Sequence, residues 1–134
     1  MKYFLDTNII IYFINGKYSE VARHFEQVPQ TSIVIPSMVV GEIEYGACKS
    51  RDYAKTIELY RKFIDPFEVV PFSSSAVATY GEIRSDLEKR GETIGANDLV
   101  IAATVLGEGG TLVTHNTKEF SRVAGLTVAD WTEA

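Results

Sequence analysis

Three acidic residues and one amide occupy positions in the sequence where apolar segments begin or end. Asp6 separates the runs YFL and IIIYFI, Glu42 lies within SMVVGEIEYGA, and Asp98 opens DLVIAATVL. Asn116 stands just beyond the run LVT. Oxygen ligands of this kind are preferred by hard divalent cations such as Mg²⁺. A site made of them suits phosphodiester hydrolysis, because a bound cation can activate water and stabilise the leaving oxygen.

Each of these residues also has a simpler structural interpretation. Asp6 can serve only as the N-cap of the next helix, and acids such as Asp98 favour the first turn of any helix. The spacing Asn116-x-x-Glu119 is typical of a capping arrangement. Glu42 can lie at the edge of a helix with its carboxylate in water. Taken alone, Asp6 favours neither interpretation, so only the combination of the four points to a site.

The elements that must position these residues follow from apolar periodicity and from turn residues. Strands are predicted at 2–6, 32–36, 67–70, 111–114 and 126–128. Helices are predicted at 7–15, 19–27, 37–47, 53–64, 73–90, 97–106 and 117–121. Ser37 and Asn97 are the predicted caps of two of them. Strands alternating with helices predict an α/β fold, with a central, mostly parallel sheet flanked by helices.

All four candidate residues are thereby predicted on one edge of the sheet. Asp6 and Asn116 follow strands, while Glu42 and Asp98 lie in helices that begin after a strand or a loop. Ligands of such sheets bind outside the carboxyl ends of the strands. Glu42 shares its helical face with Met38 and Tyr45, so it is predicted to interrupt an apolar stripe. Three carboxylates meeting there would raise each other's pKa, and a divalent cation would relieve that repulsion.

Composition and net charge limit the number of domains and the classes of function that are possible. The chain has 134 residues, a size typical of one domain, and a formal net charge of −5. That charge opposes non-specific coating of nucleic acid but is compatible with a nuclease, whose active site is itself acidic. There is no apolar run of membrane-spanning length and no signal-peptide pattern, and the single Cys48 fits a reducing compartment. We therefore expect a cytoplasmic protein without a membrane partner.

The segments FLDTNIIIYFI, IPSMVVGEIEYGA, IGANDLVIAATVL and LVTHNTKEFSRVAGLTVADW together resemble the PIN-domain nucleases, and within them the VapC toxins of bacterial toxin–antitoxin pairs. The resemblance implies a single PIN domain over 1–134, a Rossmann-like α/β sandwich. It also implies an endoribonuclease dependent on Mg²⁺ or Mn²⁺. Asp6, Glu42 and Asp98 match the family's catalytic, metal-binding acids. Asn116 stands at a catalytic position where many members have a fourth acid.

Supporting residues and partners are implied by the same resemblance. Four polar residues match positions that hold the acids by hydrogen bonds: Thr7, Asn8, Ser37 and Thr114. The implied partners are a VapB-type antitoxin, whose C-terminal segment covers the active site, and a second copy of the chain in a homodimer within a hetero-oligomer. The implied substrate is structured RNA, with tRNA and especially initiator tRNA favoured by the IGANDL and THNTKEF segments.

Basic residues near the predicted edge are candidates for contacts with RNA. They are Arg84, Lys89, Arg90, Lys118 and Arg122. A solvated helix face is the simpler interpretation of each of them. His115, next to Asn116, can also approach a phosphate. The two histidines form no convincing acid–base pair, so we expect metal-dependent hydrolysis that leaves 5′-phosphate and 3′-hydroxyl ends.

Two other α/β proteins and one inactive module share features with this sequence. A phosphatase of the haloacid-dehalogenase type needs a second acid where Asn8 stands, and a phospho-receiver domain needs an acidic pair after its first strand. Both requirements are unmet. A catalytically inactive PIN-like module that binds RNA or acts as a scaffold stays open, because the residues alone do not distinguish it from an active enzyme.

Overall fold

The computed structural model describes all 134 residues and is organised around one five-stranded sheet, in which every strand pairing is parallel. The strands are β1 (Tyr3–Leu5), β2 (Ile33–Pro36), β3 (Glu68–Val70), β4 (Thr111–Val113) and β5 (Thr127–Ala129). Their order across the sheet is β3-β2-β1-β4-β5. The chain therefore builds outward from β1 in one direction and then in the other, which makes the crevice between β1 and β4 a switch point where α/β sheets bind ligands.

Seven helices cover the sheet and connect its strands. They are α1 (Thr7–Asn15), α2 (Ser19–Gln27), α3 (Ser37–Cys48), α4 (Tyr53–Ile64), α5 (Ser74–Arg90), α6 (Ala96–Glu108) and α7 (Thr117–Phe120). One 3₁₀ turn, Gln30–Ser32, precedes β2. The predicted α/β fold class is confirmed, and each element lies within two residues of its predicted bounds. None of the helices has the length and apolar character needed to cross a bilayer.

The central strands are short but almost wholly buried. Phe4 and Leu5 of β1 pack with Val34 and Leu112 of the neighbouring strands in the core. Strands buried on both faces read as continuous apolar runs, as these do. Gly110, just before β4, has no side chain because a Cβ there would overlap the Phe4 ring and the carbonyl of Lys2. This close approach lets β4 pair beside β1 and so brings the two strand ends together.

The starts of the helices differ from the prediction in one respect. Asp6 is the N-cap of α1, and its carboxylate accepts from the Thr7 N–H. Ser37 and Asn97 were predicted caps, and both predictions are wrong, because α3 is capped by Pro36 and α6 by Gly95. Neither cap uses a side-chain hydrogen bond. The polar side chains of Ser37 and Asn97 therefore lie within the first turns, at the carboxyl edge of the sheet.

Candidate metal centre

Asp6 lies in the crevice between the ends of β1 and β4, and only 5% of its surface is exposed. Its Oδ1 accepts from the Thr7 N–H at 2.8 Å, and its Oδ2 accepts from the Thr114 hydroxyl at 2.7 Å. Burial raises its pKa despite the two hydrogen bonds, which lower it, and the charge of Glu42 raises it further. The fold thus fixes both oxygens of a carboxylate whose negative charge is unfavourable where it stands.

Glu42 is joined to Asp6 through a single residue, Thr7. The Thr7 hydroxyl donates to Glu42 Oε1 at 2.6 Å, while the backbone N–H of the same residue holds Asp6. Glu42 Oε2 faces the Asn97 side-chain amide at a longer 3.4 Å. A threonine at the first position of α1 therefore sets the position of one acid relative to the other, although the two are far apart in sequence.

The environment of Glu42 differs from the prediction. The buried stripe of α3 is formed by Val39, Ile43 and Ala47, and Glu42 lies beside it, half-buried. Tyr45, which was expected to share an apolar face with Glu42, is 65% exposed. The apolar stripe that Glu42 is predicted to interrupt is therefore not the buried face of α3. The Glu42 carboxylate sits at the border between core and solvent, where a ligand can reach it.

Asp98 is the third residue of α6 and its carboxylate is half-buried. The carboxylate turns back toward the start of the helix, since a Cβ built on Gly95 would lie 3.6 Å from Asp98 Oδ2. Burial raises the pKa of Asp98 to about 6, and the negative charges of Asp6, Glu42 and Glu119 add to that increase. A shallow depression open to solvent is lined by residues of α3 and α6, namely Glu42, Gly95, Ala96, Asn97 and Asp98.

Asn116 and Glu119 complete the edge from the β4 side. The backbone N–H of Asn116 donates to the Thr114 hydroxyl at 2.9 Å, so this threonine connects the turn to Asp6. Asn116 is the N-cap residue of α7, but its side chain makes no capping hydrogen bond. Glu119, within α7, is close enough for its charge to raise the pKa of Asp98.

The sequence predicts Glu119 only as a capping partner of Asn116 and does not predict that it lies near Asp98. A usable signal was present, because an acid in the first turn of a helix that follows a strand end faces the same edge as the residues already selected. The effect of the Glu119 charge on Asp98, two residues that lie in α7 and α6, is however not encoded by any local pattern. The structure therefore brings four carboxylates to one edge, where three were expected.

The four predicted supporting residues separate into two groups. Thr7 and Thr114 hold acids by the hydrogen bonds described above. Asn8 instead accepts from the His115 N–H, at a long 3.5 Å, and thereby links α1 to the turn after β4. Ser37 begins α3 without a capping hydrogen bond. The structure thus brings two of the four residues into contact with the acids.

The five predicted RNA contacts differ in how their charges are used. Three guanidinium groups are engaged within the protein: Arg84 with Glu88, Arg90 with Asp86 and Glu92, and Arg122 with the carbonyl of Thr93. Lys89 and Lys118 are exposed and belong to no ion pair. Arg84 and Arg90 therefore offer little free positive charge, and Lys118, next to Glu119, is the free cation nearest in sequence to the acids.

The donor set fits a hard divalent cation held partly through water. No group of three or more His, Cys, Asp or Glu side chains is arranged to enclose a metal ion by itself. Magnesium, however, keeps several waters and commonly uses one or two carboxylates together with substrate phosphates. None of the ion pairs in the protein includes Asp6, Glu42 or Asp98. Burial first, and neighbouring negative charge second, raises the pKa of Asp6 and Asp98, and no cationic side chain pairs with either carboxylate.

Comparison with known proteins matches residues 3–126 to the family model described as the PIN domain. The chain is 38% identical over 132 residues to ribonuclease VapC2 of Rickettsia felis, covering 98% of each chain. It is 34% identical over 131 residues to the tRNA(fMet)-specific endonuclease VapC of Shigella flexneri, again covering 98% of each.

A solved structure agrees with these sequence relatives. The crystal structure of VapBC2 from Rickettsia felis, bound to a DNA fragment from the promoter of the pair, superimposes on this chain with a TM-score of 0.90. The sequences are 37% identical, and the match covers 98% of this chain and 99% of the other. The fold is thus shared along nearly the whole length of the chain.

Proposed function

Because this chain belongs to the PIN-domain family, we propose that it is the toxin of a type II toxin–antitoxin pair, an endoribonuclease of the VapC type. The relatives that match it along nearly its full length are named as ribonucleases and endonucleases. The reaction is hydrolysis of a phosphodiester bond in RNA. We take the whole chain, 1–134, as a single PIN domain, which agrees with the one continuous sheet.

The observation that supports this function best is the uncompensated negative charge at the carboxyl edge of the sheet. Asp6, Glu42 and Asp98 come from three separate parts of the chain. Burial raises the pKa of Asp6 and of Asp98, and the negative charge of the neighbouring acids raises both further. An ordinary structural site would place an arginine or lysine among them. We assign the three as the catalytic, metal-binding residues, with Asn116 at the rim and Glu119 as a fourth acid.

The metal is divalent, as is general among PIN-domain nucleases, and we propose Mg²⁺ or Mn²⁺ because all the donors are oxygens. Bound there, it would supply an activated water and neutralise charge on the phosphate. Thr114 and Thr7 fix the two oxygens of Asp6, and Thr7 also orients Glu42. Asp98, with a pKa of about 6, is mostly ionised at neutral pH and is free to take a ligand.

We propose tRNA as the substrate, and initiator tRNA first. One relative with 34% identity is named a tRNA(fMet)-specific endonuclease, which agrees with the THNTKEF and IGANDL segments of this chain. Such a substrate places the activity in the cytoplasm. The exposed Lys118 is the best of the predicted RNA contacts, since Arg84 and Arg90 are already paired with acids.

The partner is a VapB-type antitoxin in a hetero-oligomer, as in the VapBC complexes that share this fold. We propose that its C-terminal segment lies over the acid edge and presents a basic residue to it. The edge is suited to this inhibition, because no cationic side chain of the protein pairs with Asp6, Glu42 or Asp98 and half-buried acids gain from charge pairing. A homodimer of toxin chains is the further expectation.

The test of the function is RNA cleavage by purified protein freed of antitoxin, with Mg²⁺, with Mn²⁺ and with EDTA. Asp98→Asn removes one charge without leaving a cavity, and we expect it to reduce cleavage by roughly 100-fold or more. Asp65→Asn is the matched control, because Asp65 is an exposed acid at the end of α4, on the opposite edge of the sheet. The ends should carry 5′-phosphate and 3′-hydroxyl.

Two results would contradict the proposal. Detection of 2′,3′-cyclic phosphate ends would show that the RNA 2′-hydroxyl, and not water, is the nucleophile. Binding of RNA that persists in EDTA, without cleavage by the unmodified protein in either metal, would favour the catalytically inactive RNA-binding or scaffold module.

A further inference from the structure

A second surface at the same edge is built from aromatic rings and one lysine. Tyr12, Tyr18 and His115 each contact the other two, with ring centroids 4.9 to 5.9 Å apart. The ammonium of Lys17 lies 5.0 Å from the Tyr12 ring centroid and 5.5 Å from that of Tyr18. We refer to these four residues as the aromatic cluster.

The aromatic cluster is held in place from two directions. His115 Nδ1 lies 2.9 Å from Asp130 Oδ2 and 3.1 Å from the Thr132 hydroxyl, so the turn after β5 orients the ring. The Asp130 carboxylate is 9% exposed, and its contacts leave the opposite nitrogen of His115, Nε2, available. On the other side, the His115 N–H donates to Asn8, one helical turn before Tyr12. The cluster is thus continuous with the turn that carries Thr114 and Asn116.

Helix α1 sets the position of the aromatic cluster relative to the acids. Tyr12 lies five residues after Thr7, which is about 8 Å along the helix axis. A nucleotide next to one whose phosphate lay among the acids would therefore reach the cluster. Lys17 belongs to no ion pair, so its charge is held over the rings without being neutralised by a carboxylate.

We infer that the aromatic cluster is a subsite for an unpaired nucleotide flanking the cut, an inference that rests on the proposed ribonuclease function. Single-stranded RNA loops are recognised by stacking of bases on aromatic side chains and by lysine contacts to phosphate. Tyr12, Tyr18 and His115 offer the rings, and Lys17 offers the charge. An acidic peptide is less suited to a surface of which three of the four members are rings.

The first experiment measures binding without cleavage. The probe is a synthetic anticodon stem-loop of initiator tRNA, bound in EDTA to proteins that all carry Asp98→Asn. Lys17→Ala should weaken binding severalfold and lower the dependence of log Kd on log salt by about one, as expected for the loss of one phosphate contact. Lys49→Ala is the matched control, because Lys49 also lies over a tyrosine, 4.9 Å from the Tyr45 centroid, but at the far end of α3.

The second experiment tests stacking directly. Once the cut is mapped, abasic nucleotides replace the bases on either side of it, one at a time. Tyr18→Leu should weaken binding by about 5- to 150-fold, as expected for the loss of one stacked base, and one of the abasic RNAs should weaken it similarly. The two losses should not add, because each removes the same contact. Lys17 is exposed, so Lys17→Ala keeps the test decisive even if Tyr18→Leu unfolds.

Several outcomes overturn the inference, and they are separable from a failure of the proposed function. Equal binding by Lys17→Ala and Lys49→Ala, or fully additive losses for Tyr18→Leu and the abasic RNAs, would remove the subsite while leaving the nuclease intact. Normal RNA binding by Lys17→Ala with weakened antitoxin binding would assign the surface to the antitoxin. Failure of the unmodified protein to cut any RNA with Mn²⁺ would overturn the proposed function itself, and the subsite with it.

Discussion

Glu42 and Glu44 are two residues apart on α3, yet their surroundings are opposite. Glu44 accepts from the Tyr53 hydroxyl at 2.7 Å and from Arg61 at 2.9 Å, and these two groups lower its pKa. Glu42 accepts from a neutral threonine and lies near the carboxylates of Asp6 and Asp98. One glutamate is part of a closed pair with an arginine, and the other belongs to a set of acids that repel each other.

The difference shows how a functional acid can be recognised in this fold. Glu44 and Asp86 are surface acids of helices, and each is balanced by an arginine on a neighbouring turn or helix, Glu44 by Arg61 and Asp86 by Arg90. Partly buried acids that lie close to one another without a cation are unfavourable in the free protein and gain when a cation binds. The carboxyl edge of the sheet therefore stores electrostatic repulsion that a divalent metal can relieve.

The comparison between Glu42 and Glu44 is tested most directly by neutralising each glutamate in turn. Glu42→Gln should reduce RNA cleavage by roughly 100-fold or more, because it removes one of the charges that would hold the metal. Glu44→Gln should leave the rate unchanged, since its carboxylate serves only the contact between α3 and α4. The measurement is the single-turnover rate in Mn²⁺, with circular dichroism to confirm folding. Equal rates for the two variants would remove Glu42 from the site.

The next effect in size comes from the threonine that holds Asp6. Thr114→Val keeps the shape of the side chain but removes the donor to Asp6 and the acceptor of the Asn116 N–H, so cleavage should fall about 10- to 100-fold. The free energy of unfolding should fall by about 1–3 kcal/mol, because a buried carboxylate oxygen loses its partner. Urea denaturation and cleavage rates measure the two effects.

Thr104→Val is the matched control for that substitution. Thr104 is equally buried, but its hydroxyl donates to the Val100 carbonyl four residues earlier in α6. This carbonyl is also within reach of the ordinary helical hydrogen bond, so the loss should be small and cleavage unchanged. A similar loss of activity in both valine variants would show that general destabilisation, and not the hydrogen bond to Asp6, is responsible.

The fold was predictable from the sequence because its signals are local. The runs YFL, IVIP and TLV are continuous and apolar, as strands of a buried parallel sheet must be, and the helices between them end at glycines or are separated by polar turns. A parallel sheet places all strand ends on a common edge, so Asp6 and Thr114 could be predicted as neighbours although they are far apart in the chain.

Contacts between helices and loops could not be predicted in the same way. The charge of Glu119 acts on Asp98 although the two residues lie in separate helices, α7 and α6. The contact of His115 with Tyr12 and Tyr18 likewise depends on the packing of separate segments. The apolar face predicted around Glu42 is exposed at Tyr45 for a related reason, because helical periodicity identifies a face of a helix but not what covers that face.

A smaller effect is the dependence of the stability of the metal-free protein on pH, which Asp98 should cause. The pKa of Asp98 is raised from 3.8 to about 6, so the folded protein holds this proton more tightly than the unfolded chain does. The metal-free protein should therefore lose stability as the pH rises from about 4 to 6, and the full loss should be present at pH 7. Allowing for solvent screening of a half-exposed group, the loss from Asp98 is about 1 kcal/mol.

Asp98→Asn should accordingly stabilise the metal-free protein by about 1 kcal/mol at pH 7.5 and have no such effect at pH 4. Urea denaturation in EDTA at the two pH values measures this difference, with Asp65→Asn as the control that removes a charge elsewhere. Adding Mn²⁺ at pH 7.5 should reverse the order, because binding to the native state stabilises the unmodified protein more than the variant. A destabilising effect of Asp98→Asn in EDTA would mean that the carboxylate is already balanced.

The smallest expected effect belongs to the acid that the sequence did not reveal. Glu119→Gln removes the weakest of the three charges acting on Asp98, so the pKa of Asp98 should fall from about 6 toward 3.8 without reaching it. Carbon NMR titration of the Asp98 carboxyl group in EDTA measures the shift. Glu58→Gln is the control, because Glu58 is exposed on α4 and paired with Lys62. If the pKa of Asp98 stays the same in both variants, Glu119 lies outside the acid set. A second outcome is that the pKa of Asp98 falls in Glu119→Gln while the apparent affinity for Mn²⁺ changes by no more than about fivefold. Glu119 would then act on the metal through its charge and not as a direct ligand, because exposed charge pairs contribute below about 1 kcal/mol.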